Sequence, residues 1–216
     1  MNRNERENVT AYVARLVADT VRELEEDPYG IPVGISAHHV HLTKEAVAIL
    51  FGRDHVLTFL KKLSQPGQFA AAEQVQVIGP AGSISRMRIL GPERAACQVE
   101  ITSSDARILG IEPPIRASGN LKGSPGVRLV GPEGELTLDT GVIIAERHVH
   151  MSPADAKWFG VVDGQQVKMA VAGPKAGIME RVTVRVSEAY RLDFHIDTDD
   201  GNAFLLRQGE RVRLIK

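Results

Sequence analysis

The sequence predicts a mainly β protein made of two related β-rich units behind an amphipathic helix. Three observations carry this. Short runs of β-branched and aliphatic residues end repeatedly at Gly-Pro or Gly-rich turns. A His-X-His segment occurs twice, 109 residues apart, inside a longer repeat. Ahead of both, apolar residues recur at helical spacing.

The helix comes first. Val9, Tyr12, Val13, Leu16, Val17, Val21 and Leu24 are spaced by three and four with charges between them, and Asp27-Pro28 stops the pattern. Residues 1–28 therefore form one amphipathic helical segment. It either packs on its own unit or a second copy of the chain, or serves as a detachable docking peptide; periodicity leaves both open.

The β runs follow. Val75 to Ile78 stops at Gly79-Pro80, Arg86 to Leu90 at Gly91-Pro92, and Val127 to Val130 at Gly131-Pro132. Gln166 to Val171 stops at Gly173-Pro174, and Arg181 to Val186 follows. Many short strands at this spacing point to barrels or sandwiches. The aromatic fraction is only 5%, so their cores must be built from Val, Ile, Leu and Ala.

The repeat is more specific. Ile35-Ser-Ala-His-His39-Val-His41-Leu-Thr43 aligns with Ile144-Ala-Glu-Arg-His148-Val-His150-Met-Ser152. Each copy runs into a helix start, with Thr43 as N-cap before Glu45, and Ser152 as N-cap before Pro153 and Asp155. Gln74-Val75 matches Gln166-Val167, and Gln98-Val99-Glu100-Ile101 matches Asp193-Phe194-His195-Ile196. The units are assigned to 29–112 and 113–216, and Glu100 and His195 fall at equivalent positions.

His-X-His on a strand puts both imidazoles on one face and sends the middle residue into the core. Two residues apart on a helix they would diverge. A single such pair is as easily a surface accident as a ligand pair. Two at equivalent positions of a repeat point to metal, with His39, His41 and Glu100 on one ion and His148, His150 and His195 on the other. Three protein ligands with an open position is the pattern of catalytic zinc. If the halves face each other, the two ions share one cleft.

His39-Val-His41 with Glu45 also matches the first cupin motif, but the second cupin motif does not follow, and Ala154 stands opposite Glu45. Amidohydrolases open with His-X-His too, on a much longer barrel. Cys97, the only cysteine, has no flanking base and reads as a buried apolar residue, with no internal disulfide. His38, opposite Arg147 in the repeat, and His55 read as non-ligands. Arg94 precedes Glu100 and could clamp phosphate bidentately; Lys61-Lys62, Arg86 and Arg88 read as a solvated face or a phosphate-binding rim. A net charge of -1 supplies no basic field for nucleic acid, and no apolar run has membrane-spanning or signal-peptide character.

At these residues the chain resembles the PduL family of phosphotransacylases, the phosphate propanoyltransferases associated with bacterial microcompartments. The likeness is carried by Ile31-Pro-Val-Gly-Ile-Ser-Ala-His-His-Val-His-Leu-Thr, by Gln98-Val-Glu-Ile with Asp105-Ala-Arg107, by Ser118-Gly119 through Ser124-Pro125-Gly126, and by Glu146-Arg-His-Val-His-Met-Ser. It runs from about Pro32 to the C-terminus. His38 departs from it, since the family usually carries arginine there.

The resemblance implies two β-barrel domains capped by short helices, with two zinc ions in the cleft between them, divided between the triads as above. It implies that Arg94 holds phosphate and that Ser36, Lys61, Arg88, Leu90 and Asn202 lie along coenzyme A. The expected reaction moves a propanoyl or acetyl group between coenzyme A and inorganic phosphate; a dinuclear metallohydrolase is the alternative, and a metal-storage or sensor module comes third. Expected partners are coenzyme A or acyl-CoA, phosphate or acyl phosphate, further copies of the chain and, through the N-terminal helix, a microcompartment shell. The expected location is the microcompartment lumen or the cytoplasm, without nucleic acid or membrane.

Overall fold

The computed structural model describes residues 30–216, so the helix expected over Val9 to Leu24 lies outside the described residues. The first part of the chain runs β1 (Ile31–Ser36), β2 (His39–His41), α1 (Lys44–Phe51), β3 (Phe59–Lys62), β4 (Phe69–Ile78), β5 (Ser83–Gly91), β6 (Gln98–Glu100) and α2 (Ser103–Leu109). A middle stretch supplies β7 (Ile115–Arg116), β8 (Val127–Val130) and β9 (Glu135–Leu138). The remainder runs β10 (Val142–Ala145), β11 (His148–Met151), α3 (Pro153–Phe159), β12 (Gln166–Val171), β13 (Gly177–Val186), β14 (Asp193–Asp197), α4 (Thr198–Phe204) and β15 (Arg211–Ile215). The expected β runs are strands, with β4, β5 and β13 extending beyond the residues named from sequence.

Two sheets result. One is a closed barrel in the order β1-β14-β11-β13-β12-β15. The other is a nine-stranded open sheet whose central path is β10-β6-β2-β5-β4-β8, extended by β7 and β9, with β3 on β4. Strand for strand the two paths match. In each, the His-X-His strand lies antiparallel to the strand bearing Glu100 or His195 and parallel to a long hairpin strand. Only the barrel closes, through β1 and β15.

The long hairpins carry a β-bulge at equivalent places, where Arg86 and Arg181 take φ of 60° and 57°. A left-handed residue inside a strand sharpens its bend, which helps each sheet curl around its core. One core centres on Val40, Leu42, Met87, Ile89 and Leu129, the other on Val33, Val149, Met169, Val184 and Phe194, all fully buried. Fully burying each such side chain contributes roughly 1.5–3 kcal/mol.

The sheets trade strands. β1 leads into the first His-X-His strand yet belongs to the barrel holding the second; β10 leads into the second yet belongs to the sheet holding the first. The ranges 29–112 and 113–216 thus describe the repeat in sequence, while each sheet draws on both. Each crossing segment, Ala37-His38 and Glu146-Arg147, passes from one sheet to the other directly before its histidines. The segments are clamped alike. His38 Nδ1 lies 3.2 Å from Asp105 in α2, and Arg147 makes a two-pronged pair with Asp200 in α4 at 2.6 and 2.8 Å.

This exchange makes a prediction. A fragment of residues 113–216 lacks β1, whose Ile31 and Val33 are fully buried in the barrel core. It would leave two unpaired strand edges, on β14 and β15. Expressed alone, it is expected to show no cooperative thermal unfolding by circular dichroism. A transition as sharp as the parent's would show that β1 is dispensable.

Candidate metal centre

Both His-X-His pairs sit on strands, as the spacing requires. Val40 and Val149 are fully buried in the two cores, which turns the flanking imidazoles to the opposite face. Register then supplies the third member of each cluster, since His39 stands opposite Glu100 and His148 opposite His195. The potential ligand atoms within each cluster all lie within 4.8 Å of one another. In the first, His39 Nε2 is 3.4 Å and His41 Nε2 3.9 Å from the Glu100 carboxylate. In the second, the three ring centroids are 4.7–5.1 Å apart.

Both clusters open into one cleft of about 930 Å³ between the sheets. The crossing segments explain why they face each other: each histidine strand is reached from the other sheet, so the two line the same seam.

The ring nitrogens turned away from each cluster test whether it suits a metal. His39 Nδ1 donates to the Ala37 carbonyl at 2.9 Å, His148 Nδ1 to Glu146 at 2.8 Å, and His41 Nδ1 to Leu90 at 3.3 Å. A carbonyl only accepts, so these bonds put the proton on Nδ1 and the lone pair of the neutral ring on Nε2, aimed inward. His195 Nε2 is 2.8 Å from the Asp193 carboxylate, leaving Nδ1 for the cluster. Carbonyls and carboxylates behind histidines are the usual outer support of a metal site. His150 Nδ1 is buried without a hydrogen-bond partner, in a position that costs free energy unless something binds it. The residues fit divalent ions that take nitrogen and oxygen donors.

Protonation points the same way. Burial, reinforced by neighbouring positive charge, lowers His41 to about 3 and His148 to about 4. Burial and the two neighbouring histidines lower His150 to about 2. These rings are neutral at neutral pH, the form that can coordinate a metal. His39 differs: burial pushes it down, but the charge and hydrogen bond of Glu100 win, and its pKa rises. Burial likewise opposes ionisation of Glu100, and His39, with His41 and Ser118, overcomes it and holds the carboxyl far below the ordinary range.

Arg94 stands beside the first cluster. Its backbone N–H donates to Leu42 at the end of β2, and its guanidinium donates to Ser118 Oγ at 3.2 Å. Ser118 in turn donates to Glu100 at 3.0 Å, and Gln98 donates to both Glu100 and Ser118. Arg185, in β13, also faces the cleft, and its charge is felt by both Arg94 and the second cluster.

Of the residues expected along coenzyme A, Ser36, Lys61, Arg88 and Leu90 line the cleft. Arg88 is half-buried and donates to the carbonyls of Ala71 and Ala72. Asn202 is exposed on α4 and is not among the lining residues. Cys97 also lies outside the lining, its Sγ accepting from the Thr43 N–H at 3.4 Å.

Sequence reasoning gave no role to Gln98, Ser118, Asp193, Arg185 or Tyr190. Period-two spacing places Gln98 on the face of Glu100 and Asp193 on the face of His195, so a signal for both existed. Tyr190, in the loop before β14, had none; its ring packs on His150 at 4.3 Å between centroids. No helix among the described residues is long and apolar enough to cross a membrane.

A family model described as phosphate propanoyltransferase matches residues 32–207. The chain is 45% identical over 209 residues to the phosphate propanoyltransferase of Thermotoga maritima, covering 96% of this chain and 99% of that one. It is 45% identical over 204 residues to that of Rhodobacter capsulatus, covering 94% and 95%. It is 48% identical over 193 residues to that of Salmonella typhimurium, covering 87% and 90%.

Proposed function

Since the chain belongs to the phosphate propanoyltransferase family, and so to the acyltransferases, we propose that it transfers a propanoyl or acetyl group reversibly between coenzyme A and phosphate over two divalent ions, zinc foremost. The observation that carries this is the pair of three-donor clusters opening into one cleft, with a guanidinium beside them. His39, His41 and Glu100 would hold one ion, and His148, His150 and His195 the other. The chemistry that bound zinc supplies is Lewis acidity, which stabilises a thiolate and polarises a carbonyl at neutral pH.

The protein's own groups bind and orient. The Arg94 fork meets two oxygens of the phosphoryl group, and its bond to Ser118 fixes the plane of that fork. Lys61 and Arg88 on the cleft wall offer cations for the phosphates of coenzyme A, and Ser36 and Leu90 line its path. A part for Asn202 would require coenzyme A to reach α4 beyond the cleft.

In the direction of acyl-CoA synthesis, the carbon–sulfur bond forms as the bond between the acyl carbon and phosphate oxygen breaks. The thiol proton is recovered on the departing phosphate. This direct exchange on the acyl carbon requires no acyl-enzyme, and Cys97 lies outside the cleft lining. The proposal extends to the amphipathic pattern of Val9 to Leu24, which is compatible with docking on a microcompartment shell or with association of several copies, and with residence in a microcompartment lumen or the cytoplasm.

The test is direct. Purified protein of measured metal content is given acetyl or propanoyl phosphate with coenzyme A, and thioester formation is followed while each substrate is varied. Thioester formation with intersecting initial-rate patterns is expected. Hydrolysis without thioester would identify a dinuclear metallohydrolase instead, and parallel lines would point to an acyl-enzyme.

A further inference from the structure

Gln65 is the one polar side chain in the loop between β3 and β4 that is almost fully buried, at 3% exposure. Its amide does not serve its own hairpin. It crosses to a residue 126 positions away, donating through Nε2 to the Arg191 carbonyl at 3.1 Å and accepting through Oε1 from the Arg191 N–H at 3.2 Å. One side chain thus satisfies both backbone groups of one residue on the opposite side of the cleft.

Each end of this strap is rigid or consequential. Gln65 opens a tight turn in which the Gln68 N–H donates to the Gln65 carbonyl, with Pro66 second and Gly67 third at φ 78°, the signature of a type II turn. The Leu63 N–H closes the hairpin on Gln68. That hairpin carries Lys61 and lines the cleft. At the far end, Arg191 is preceded by Tyr190, whose ring lies on His150, and is followed two residues later by Asp193, which supports His195. The loop 187–192 is tied at its start, where the Ser187 N–H donates to Met151 and Ser187 accepts from the Ala189 and Tyr190 N–H groups, so that beyond Tyr190 its hold on the rest of the molecule includes the Gln65 amide.

From this geometry we infer that Gln65 is a positioning residue for the acyl transfer, seating Tyr190 on His150 by holding Arg191; the inference rests on the function proposed above. With the strap intact, the Tyr190 ring covers one side of His150 and fixes the wall of the cleft at the second cluster. Without it, the Arg191 backbone groups lose their partners and the loop gains freedom where positioning matters most.

The test uses Gln65→Leu, Tyr190→Ala and the double variant in the full-length, metal-loaded protein, with hydrogen exchange of residues 187–192 measured alongside kinetics. Gln65→Leu is expected to raise exchange in that segment and to lower kcat/KM about tenfold, with unchanged metal content. Tyr190→Ala is expected to match that kinetic loss, and the double variant to lose no more than either alone. Multiplying losses, unaltered exchange, or a kcat/KM within twofold of the parent would overturn the inference. A lower folded fraction reduces kcat and leaves KM alone, which also counts against it. Should Gln65→Leu not fold, Gln65→Glu keeps the acceptor for the Arg191 N–H and replaces the donation to its carbonyl with a repelling carboxylate oxygen. It is then to raise both exchange and KM, and no change in either overturns the inference. If the parent itself makes no thioester, the functional reading fails, and the exchange data alone still decide whether the strap exists.

Discussion

Replacing His148 with alanine is expected to cut thioester formation by at least about 10²-fold, the scale seen when one group stabilising transition-state charge is lost. Bound metal should fall by one ion per chain. The imidazole stands opposite His195 in register, close to His150, with Nδ1 tied to Glu146. Its removal leaves the second cluster two donors, too few to hold an ion firmly. The side chain is buried but its neighbours in the core are Val149 and Met151 on the other face, so the barrel should persist. Elemental analysis of the folded variant, beside the transfer assay, checks both halves of this. Unchanged metal and unchanged activity would remove the second triad from the chemistry.

A loss of about 10²-fold in kcat/KM for acyl phosphate is expected for Arg94→Lys, with little change in KM for coenzyme A. Lysine keeps the charge but offers a point donor where arginine offers a planar fork. It also gives up the fork that lets Arg94 bond Ser118 and still offer donors to the phosphoryl group of the proposed reaction. Burial lowers the Arg94 pKa, Glu100 raises it and Arg185 lowers it, so the cation is set between one anion and one like charge. Varying each substrate in turn separates the outcomes. A loss shared equally between the two substrates would place Arg94 in general support of the site, away from phosphate.

The two triads were legible because their signals are local and repeated. His-X-His with an apolar centre can share a ligand only on a strand, and the repeat carried the inference from one half to the other. The same repeat assigned Glu100 and His195, and their strand registers against His39 and His148 agree with it. The caps were equally readable, since Thr43 and Ser152 bond the N–H groups three residues ahead of them.

Other features gave weaker signals. Gln98 and Asp193 lay one alternation from the expected ligands, yet nothing in a strand pattern says which polar neighbour supports a ligand. Ser118 lies 18 residues from Glu100, and Gln65 lies 126 from Arg191, with no period to connect them. Such contacts exist only once two distant backbones have been brought together.

The amino-acid sequence by itself determined the mainly β class, the two-copy organisation, the capped helices and the composition of each triad. These follow from side-chain alternation and hydrogen-bonding preferences that act over a few residues. Only the tertiary structure decided that β1 completes the far barrel and β10 the near sheet, that one sheet closes while the other stays open, and that both triads line one cleft. Those choices depend on which strand edges find partners across long stretches of chain, and a strand's own residues are compatible with either edge.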